Sequence, residues 1–269
     1  MNSYTTEYLQ NIDQFQDSIF IIHKKQEETF PYHFHQKGQF TYIEGGISYL
    51  YTRDKAYFLP ARHFIWIPPE LEHYVLHTSS TLRVTNLYLP SANDLTHPFF
   101  SKMGIYPVTD LLLEMILFSE RWQGVVRPGV YAYDFLRTLK YLLPEIGQHP
   151  LPIAIPTTQN ERLLPIIKYL QQHVSRPLHL PEVAYEFGLS ARTLSRLFQQ
   201  EMELSFLQYV KMYRIVRAIE ELLQTDKSIT EIAYDVGYTS LSTFSNTFLQ
   251  LVNRRPAEFR TVKSRPTIP

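Results

Sequence analysis

The chain has 269 residues, of which 44% are hydrophobic and 19% charged, and its 26 Lys and Arg balance 26 Asp and Glu. This length is enough for two domains, each with its own core. The lack of cysteine excludes a disulfide framework and a thiolate metal site. No apolar run approaches about 18 residues, and the N-terminus lacks the basic and apolar regions of a secretion signal, so we expect a cytoplasmic protein without a membrane span.

Residues 1–105 have the composition of a β-domain, with short runs of Tyr, Phe, Ile and Thr broken by Pro, Gly and charged turns. Many short strands predict a closed or sandwiched sheet. The predicted strands are Ser18–His23, Thr29–Phe34, Gln39–Glu44, Ile47–Thr52, Lys55–Leu59, Phe64–Ile67, His73–His77 and Leu82–Leu89.

A group of polar side chains stands out in this β-domain. His33 and His35 share one face of a predicted strand because side chains alternate, and Gln39 has the same parity. Three roles are open for these residues and His73. They line a ligand pocket, they hydrogen-bond to one another inside the domain, or the three imidazoles hold a divalent metal. The amide of Gln39 supplies no charge to such a cation. Aromatic residues are either further cavity walls or ordinary core: Trp66, Tyr42 and Tyr49.

The fragments PYHFHQKGQFTYIEGG and IWIPPELEHYVLH resemble the two motifs of cupins, double-stranded β-helix domains that often hold a metal through two His, a Glu and a third His. Here Gln39 stands in place of Glu, Glu70 replaces the usual Gly, and His77 falls where cupins often have Asn. The resemblance implies a cupin-like ligand-sensing domain over residues 1–105, with no required cofactor. Its candidate ligand-binding residues are His33, His35, Gln39, Trp66, His73 and His77, and its possible metal ligands are His33, His35 and His73.

Residues 106–150 are predicted to be helical. One helix runs from Thr109 to Trp122 with Asp110 as its cap, a second runs from Tyr131 to Ile146, and Val125–Gly129 forms the turn between them. They either join two copies of the chain or pack on the β-domain. The following HPLPIAIPTTQ predicts an extended, unpaired linker over residues 151–160.

The C-terminal part contains an internal repeat. LPEVAYEFGLS (residues 180–190) and ITEIAYDVGYT (residues 229–239) share Glu, Ala, Tyr and Gly at an offset of 49. Each copy reads as a short helix stopped by glycine and followed by a second helix, which is a helix-turn-helix pattern. The two predicted motifs span residues 180–200 and 229–251.

The second helix of each motif has one apolar stripe and one polar stripe. In the first motif Ser190 is the predicted cap of this helix, and the inward residues are Leu194, Leu197 and Phe198. In the second motif Thr239 or Ser240 is the predicted cap, and the inward residues are Leu241, Phe244, Phe248 and Leu251. Arg suits guanine edges, and Asn and Gln suit adenine. The candidate base-facing residues are Arg192, Ser195, Arg196, Gln199, Ser242, Thr243, Asn246 and Gln250.

The segment Ser205–Leu223 predicts an apolar helix between the motifs, about 28 Å long at 1.5 Å per residue. Successive major-groove faces are about 34 Å apart, so both reading helices could enter adjacent grooves. From Thr158 onward, 14 Lys and Arg stand against 11 Asp and Glu, a net charge of +3 that leaves −3 for the rest of the chain. This mild charge predicts modest non-specific affinity for DNA.

Residues Glu161–Arg260 resemble the AraC/XylS-type transcriptional regulators. The resemblance rests on LSARTLSRLFQ, on Arg214 and Ala218, and on IAYDVGYTSLSTFSNTF followed by RPAEFR. Glu203 and Asn253 replace a usual Gly, and Asn246 replaces a common Arg, which indicates altered contacts in the second motif. The resemblance implies double-stranded DNA and a small-molecule effector as partners, homodimerisation through residues 106–150, and a possible contact with RNA polymerase.

The predicted fold is therefore α+β and multidomain. It has an N-terminal cupin-like β-barrel with a helical dimerisation segment, and an all-α DNA-binding domain with two helix-turn-helix motifs over residues 161–262, supported by a first helix at Glu161–Val174 and followed by a disordered tail at Thr261–Pro269. The predicted function is sequence-specific transcription regulation without enzymatic activity. The alternatives are a metal-dependent cupin enzyme fused to a DNA-binding domain, and an architectural DNA binder without a sensor.

Overall fold

The computed structural model describes residues 9–24, 31–45, 47–53, 55–77, 82–91, 94, 97–148, 150–151, 154–156, 158 and 160–263. These residues fall into two units. The N-terminal unit is drawn from Met1–Thr52 and Leu59–Leu151, and the C-terminal unit from Arg53–Phe58 and Pro152–Pro269. None of the helices in the described ranges is both long and apolar enough to cross a membrane.

The N-terminal unit contains a six-stranded antiparallel sheet in the order β8-β5-β2-β7-β1-β9. A further antiparallel pair joins β3 to β6. The strands of the described chain are β1 (Ile19–Lys24), β2 (Gly38–Glu44), β3 (Ile47–Tyr51), β4 (Lys55–Pro60), β5 (His63–Ile67), β6 (Tyr74–His77), β7 (Arg83–Leu89), β8 (Gly104–Pro107), β9 (Gly124–Val126) and β10 (Ala154–Pro156).

Seven of the eight predicted strands are confirmed to within one residue at each end. The predicted strand Thr29–Phe34 is wrong where the structure describes it; residues 29 and 30 lie outside the described ranges. Only His33 pairs there, in an isolated bridge with His73 whose two N–H···O bonds measure 3.0 and 2.9 Å. Pro31 has no N–H to donate to a longer ladder.

The sheet separates its side chains by parity. Phe40, Tyr42 and Trp66 lie in the large core beneath two helices, α1 (Asp110–Ser119) and α2 (Tyr131–Ile146). Gln39 and Thr41 occupy the alternate positions of β2 and therefore lie on the other face. One face of the sheet therefore contributes apolar side chains to the hydrophobic core, and the other face carries polar side chains.

Helix α2 has the predicted bounds, whereas α1 is shorter than predicted and ends at Ser119. Its cap is Thr109 rather than Asp110, because the Thr109 hydroxyl accepts from the Leu112 amide at 3.3 Å. The predicted turn Val125–Gly129 is confirmed only at its end: Pro128 and Gly129 turn the chain, whereas Gly124–Val126 forms β9 and pairs with β1. A three-residue strand is too short to show a periodic pattern.

The C-terminal unit is mainly helical. Its helices are α3 (Leu164–Gln172), α4 (Leu180–Glu186), α5 (Ala191–Met202), α6 (Phe206–Gln224), α7 (Ile229–Asp235), α8 (Leu241–Val252) and α9 (Pro256–Lys263). Helix α3 is shorter than the predicted Glu161–Val174. Helix α9 covers residues 261–263 of the predicted tail, and residues 264–269 lie outside the described ranges.

The proline-rich segment predicted as a linker is extended, as expected, but it is not unpaired. Ala154, Ile155 and Pro156 form β10 and align antiparallel with Tyr57, Ala56 and Lys55 of β4. Proline tolerates such a position at the end of a strand, where no ladder N–H is needed.

Candidate functional site

The two helix pairs of the C-terminal unit have the same backbone geometry. In the first, Gly188 turns the chain at φ 65°, and the Leu189 amide donates to Ala184 O at 2.8 Å. In the second, Gly237 does so at φ 86°, and the Tyr238 amide donates to Ala233 O at 2.9 Å. The repeat found in the sequence is therefore also a repeat of hydrogen bonds.

Serine caps the second helix of each pair. The Ser190 hydroxyl accepts from the Thr193 amide at 3.1 Å, and the Ser240 hydroxyl accepts from the Thr243 amide at 3.3 Å. Each cap satisfies one of the amides that a helix leaves without an internal partner at its N-terminus. Of the two predicted caps for α8, Ser240 rather than Thr239 has this role.

The repeat extends beyond the stretch detected in the sequence. After α5 the side chain of Gln208 accepts from the Ser205 amide at 2.8 Å, and after α8 that of Glu258 accepts from the Arg255 amide at 2.9 Å. Each repeat thus includes a third, similarly capped helix start. The sequence carries a signal for this third element: Gln208 and Glu258 lie 50 residues apart, and their side chains have equal length.

The predicted polar faces of α5 and α8 are exposed to solvent. The exposed residues are Arg192, Ser195, Arg196 and Gln199 in α5, and Ser242, Thr243, Asn246 and Gln250 in α8. The predicted apolar stripes need correction at Leu241, which is 38% exposed, and at Leu197 and Leu251, which are only partly buried. The buried stripes instead comprise Leu194, Phe198 and Met202 in α5, and Phe244, Thr247, Phe248 and Val252 in α8.

Helix α6 connects the two pairs. It has 19 residues, which gives a length of about 28 Å at 1.5 Å per residue. Arg214 ties it to the end of the first helical segment, since its guanidinium donates to Val174 O at 3.1 Å and to Arg176 O at 2.8 Å. The same guanidinium lies against Gly237 at the turn of the second pair.

The second candidate site is a cluster of three histidines in the N-terminal unit. One ring nitrogen from each of His33, His35 and His73 lies within 4.8 Å of the others. The ring centroids of His33 and His73 are 4.5 Å apart, and those of His35 and His73 are 5.3 Å apart. The isolated bridge between His33 and His73 brings these distant parts of the chain together.

Gln39 is the centre of the polar contacts in this cluster. Its Oε1 lies 2.9 Å from His35 Nε2 and 3.2 Å from His73 Nε2. Its amide nitrogen donates to Thr41 Oγ1 at 2.9 Å and to Asn86 Oδ1 at 3.2 Å. Sequence reasoning missed Thr41 and Asn86, although Thr41 has the parity of Gln39 on the same strand.

Burial favours the neutral form of His35 and His73. Burial lowers the pKa of His35 to about 4, against a smaller opposing effect of its hydrogen bond to Gln39 Oε1. Burial also lowers the pKa of His73 well below its usual value, and the neighbouring His35 and His33 lower it further. Neutral imidazole is the form that binds metal ions, and three imidazoles are a donor set that Zn²⁺ accepts.

The other predicted ligand-binding residues lie elsewhere or are not described. Trp66 is fully buried in the opposite core, and its Nε1 donates to Phe100 O at 2.9 Å. Tyr42 shares that core and donates its hydroxyl proton to Glu44. Tyr49 is half-buried on β3, next to Tyr51. The side chain of His77 lies outside the described part of the structure.

Lys37 is a buried cation near the cluster that the sequence did not indicate. It is 2% exposed, and its Nζ donates to Ser18 Oγ at 3.1 Å. The pKa of Lys37 is lowered to about 8, because the effect of burial outweighs the opposing effect of nearby Asp13 and Asp17. No periodic pattern marks this residue, since it lies in the bend just before β2.

Comparison with known proteins gives two domain families. The model of a helix-turn-helix domain matches residues 183–261, and the model of an AraC-like ligand-binding domain matches residues 15–95. Regulatory protein SoxS of Salmonella typhimurium is 33% identical over 95 residues, which cover 35% of this chain and 89% of SoxS.

Two longer relatives align with both halves of the chain. The HTH-type transcriptional regulator NimR of Escherichia coli is 24% identical over 241 residues, covering 89% of this chain and 86% of NimR. The HTH-type transcriptional activator RhaS of Salmonella agona is 24% identical over 250 residues, covering 87% and 88% of the two chains. The chain belongs to the AraC family of DNA-binding transcriptional regulators and carries an AraC-like ligand-binding domain ahead of its helix-turn-helix domain.

Proposed function

We propose that both helix pairs are helix-turn-helix motifs and that α5 and α8 read adjacent major grooves of one DNA duplex. The observation that carries this proposal is the equivalence of the two pairs, which share the turn, the serine cap and an exposed polar face. A helix that presents arginine and amide side chains to solvent suits the donor and acceptor pattern of base edges.

The spacing of the pairs supports simultaneous reading. Helix α6 separates them by about 28 Å, close to the roughly 34 Å between successive major-groove faces. The proposed base-facing residues are Arg192, Ser195, Arg196, Gln199, Ser242, Thr243, Asn246 and Gln250. Because the net charge of the C-terminal part is small, sequence discrimination rather than bulk electrostatics supplies most of the useful affinity.

We further propose that the N-terminal unit is a cupin-like sensor domain over residues 1–105. Its ligand pocket is formed around His33, His35, Gln39 and His73, with His77 retained as a candidate; Trp66 is no longer included, because it packs on the other face of the sheet. A small molecule that binds this pocket with different affinities in two states of the protein shifts their populations and so changes promoter binding.

Residues 106–150 are the proposed dimerisation segment, residues 151–160 connect the two domains, and residues 161–262 form the DNA-binding domain. Large apolar side chains exposed on α1, on α2 and just before α2 support self-association: Leu111, Phe118, Val130, Tyr131 and Tyr141. A homodimer would present four reading helices. Contact with RNA polymerase is part of this proposal.

A cupin enzyme fused to a DNA-binding domain is the competing function. The regulator is favoured because the amide of Gln39 supplies no charge to a catalytic cation, whereas a regulator needs no such cation. Its relatives are also transcriptional regulators by description.

Fluorescence anisotropy tests the proposed DNA reading. The full chain is titrated against duplex DNA from upstream of its own gene and from upstream of neighbouring genes, beside scrambled duplexes of equal composition, at low and at physiological salt. We expect at least one native duplex to be preferred at physiological salt. Equal affinity for every native and scrambled duplex, with and without candidate ligands, would contradict sequence-specific reading.

A further inference from the structure

The linker that precedes the DNA-binding domain is paired with a strand from the first half of the chain. Strand β4 lies between β3 and β5 in the sequence of the proposed sensor domain, yet its residues 55–58 group with the C-terminal unit. There β10 of the linker aligns antiparallel with it, and Ile155 at the centre of β10 is buried. Strand β10 also runs beside α6. The linker is therefore a fixed part of the C-terminal unit rather than a loose tether.

Two residues beyond β10, the linker contacts the end of the first reading helix. Thr158 is buried, and its hydroxyl donates to Glu201 Oε2 at 3.3 Å. The side-chain amide of Asn160 donates to Oε1 of the same carboxylate at 3.1 Å. Glu201 lies in the last turn of α5, two residues after Gln199 of the proposed reading face. Both oxygens of one carboxylate thus accept from the linker.

The backbone orients both donors. Thr158 Oγ1 accepts from the Asn160 amide at 3.0 Å, which leaves the hydroxyl proton for Glu201. Asn160 Oδ1 accepts from the Arg162 amide at 3.0 Å, and because that amide can only donate, Nδ2 of Asn160 faces the carboxylate. The carbonyl of Asn160 also accepts from the Leu163 amide at 2.9 Å. Asn160 therefore connects the linker, the turn before α3 and the end of α5.

The second repeat forms a reading helix without this contact. Glu203 and Asn253 occupy equivalent positions after α5 and α8, so Glu201 corresponds to Leu251, which has no carboxylate. Helix α8 nevertheless has the same length and the same serine cap as α5. The fold of a helix pair does not require a carboxylate at this position, so its presence in the repeat next to the linker points to a role specific to that repeat.

We infer that Thr158, Asn160 and Glu201 form a latch that couples the linker to the reading helix α5, so that a change at β4 reaches the DNA-reading face. Strand β4 leads directly into β5, which pairs with β2, the strand that carries Gln39 of the proposed pocket. A helix moves as a rigid element, so a shift at Glu201 also moves the exposed polar face of α5. The three are positioning residues, since they act on DNA only through α5, and their regulatory role rests on the proposed function.

Hydrogen exchange followed by mass spectrometry on the full chain tests the latch without DNA. Glu201→Leu introduces the residue type that the second repeat carries, so α5 should persist. We expect the amides of residues 160–163 to exchange at least about threefold faster in this variant, as for a lost hydrogen bond. Gln200→Leu makes the same replacement at the neighbouring exposed position and should leave this segment unchanged. Unchanged exchange in Glu201→Leu would overturn the latch.

A disulfide between β4 and β10 tests the transmission to α5. Pro156 has no N–H, so its pair with Lys55 is a non-hydrogen-bonded one, and by alternation so is the pair of Ala154 with Tyr57. Such pairs have Cα atoms about 4.5 Å apart, which a disulfide can span. The chain contains no cysteine, so Ala154→Cys combined with Tyr57→Cys gives one defined bridge on oxidation with diamide.

The bridge makes the pairing of β10 permanent and should stabilise the latch in turn. We expect amides 199–202 of α5 to exchange at least about threefold more slowly in the oxidised than in the reduced chain, because pairing and latch favour each other. The difference should disappear when Glu201→Leu is added and persist when Gln200→Leu is added. No difference in the bridged chain, or a difference that survives Glu201→Leu, would overturn the inference.

Anisotropy with the preferred duplex measures the regulatory consequence separately. We expect the Kd of the oxidised and reduced chains to differ by about threefold or more, and this difference also to disappear with Glu201→Leu. Equal Kd values would overturn the regulatory role of the latch. If no duplex is preferred, the proposed DNA reading fails, whereas the exchange experiments, which contain no DNA, still decide whether the latch exists.

Discussion

Glu203 and Asn253 adopt the same left-handed backbone conformation at equivalent points of the two repeats, with φ 56° and φ 58°. Each follows the reading helix of its pair and redirects the chain into the next helix. Asparagine tolerates this conformation, whereas a residue with a longer side chain is strained by about 1–2 kcal/mol. The first repeat therefore carries strain that the second largely avoids.

Replacing Glu203 by glycine should relieve this strain. We expect Glu203→Gly to raise the free energy of unfolding by about 1 kcal/mol, since the removed Cβ strain exceeds the added freedom of the unfolded chain. Asn253→Gly should change it by less. Urea unfolding followed by far-UV circular dichroism measures both, and Gln200→Gly inside α5 is a matched control expected to destabilise by about 1 kcal/mol. Destabilisation by Glu203→Gly would show that its side chain makes a contact that outweighs the strain.

The two turn glycines form a second matched pair. Both have positive φ, but a Cβ on Gly188 would meet no atom within 4 Å, while one on Gly237 would lie 2.7 Å from Val174 O and from Arg214 Nη2. Gly188→Ala should therefore cost only the conformational strain, about 1–2 kcal/mol. Gly237→Ala should cost more, because the turn must also move away from Val174 and Arg214. Thermal unfolding of both variants gives the order, and equal Tm values would contradict this account of the second turn.

The helix pairs could be predicted from the sequence because the signals that define them lie within short segments of the chain. Apolar residues recur at helical spacing, glycine marks each turn, and serine caps each following helix. The set of buried residues on α8 was predicted less accurately, since Thr247 is buried and Leu241 is 38% exposed. Thr247 can be buried because its hydroxyl donates to Thr243 O at 2.9 Å, a bond that composition does not reveal.

The histidine cluster was only partly predictable, because its geometry depends on contacts between distant segments. Spacing suggested that His33 and His35 share a strand face, but a single bridge to His73 brings them together instead. Trp66 is a predicted cavity residue and lies within the second cupin-like fragment, yet the structure buries it in the opposite core. The register Phe40–Trp66 between β2 and β5 places it with Phe40, opposite Gln39, and register is not visible in one strand alone.

Arg196 should contribute directly to DNA reading. Its side chain is exposed on α5 beside Ser195 and Gln199, so Arg196→Ala should leave the fold intact and weaken specific binding by about 1–3 kcal/mol. Anisotropy with the preferred duplex measures the loss, and circular dichroism checks the fold. Arg162→Ala removes an exposed arginine ahead of α3 and serves as the control. Unchanged affinity of a folded Arg196→Ala chain would exclude this residue from the reading surface.

Asn246 provides the corresponding test for the second pair. If α8 reads DNA independently of α5, Asn246→Ala should also cost about 1–3 kcal/mol, with the loss of discrimination confined to different base pairs. The two residues belong to separate helix pairs joined by the 19-residue helix α6, so their effects should add in the double variant, to about 2–6 kcal/mol. Anisotropy against duplexes with single substitutions across the site assigns each loss to its position. If Asn246→Ala binds every duplex as the unaltered chain does, α8 supports the fold without reading bases, and sequence recognition belongs to α5 alone.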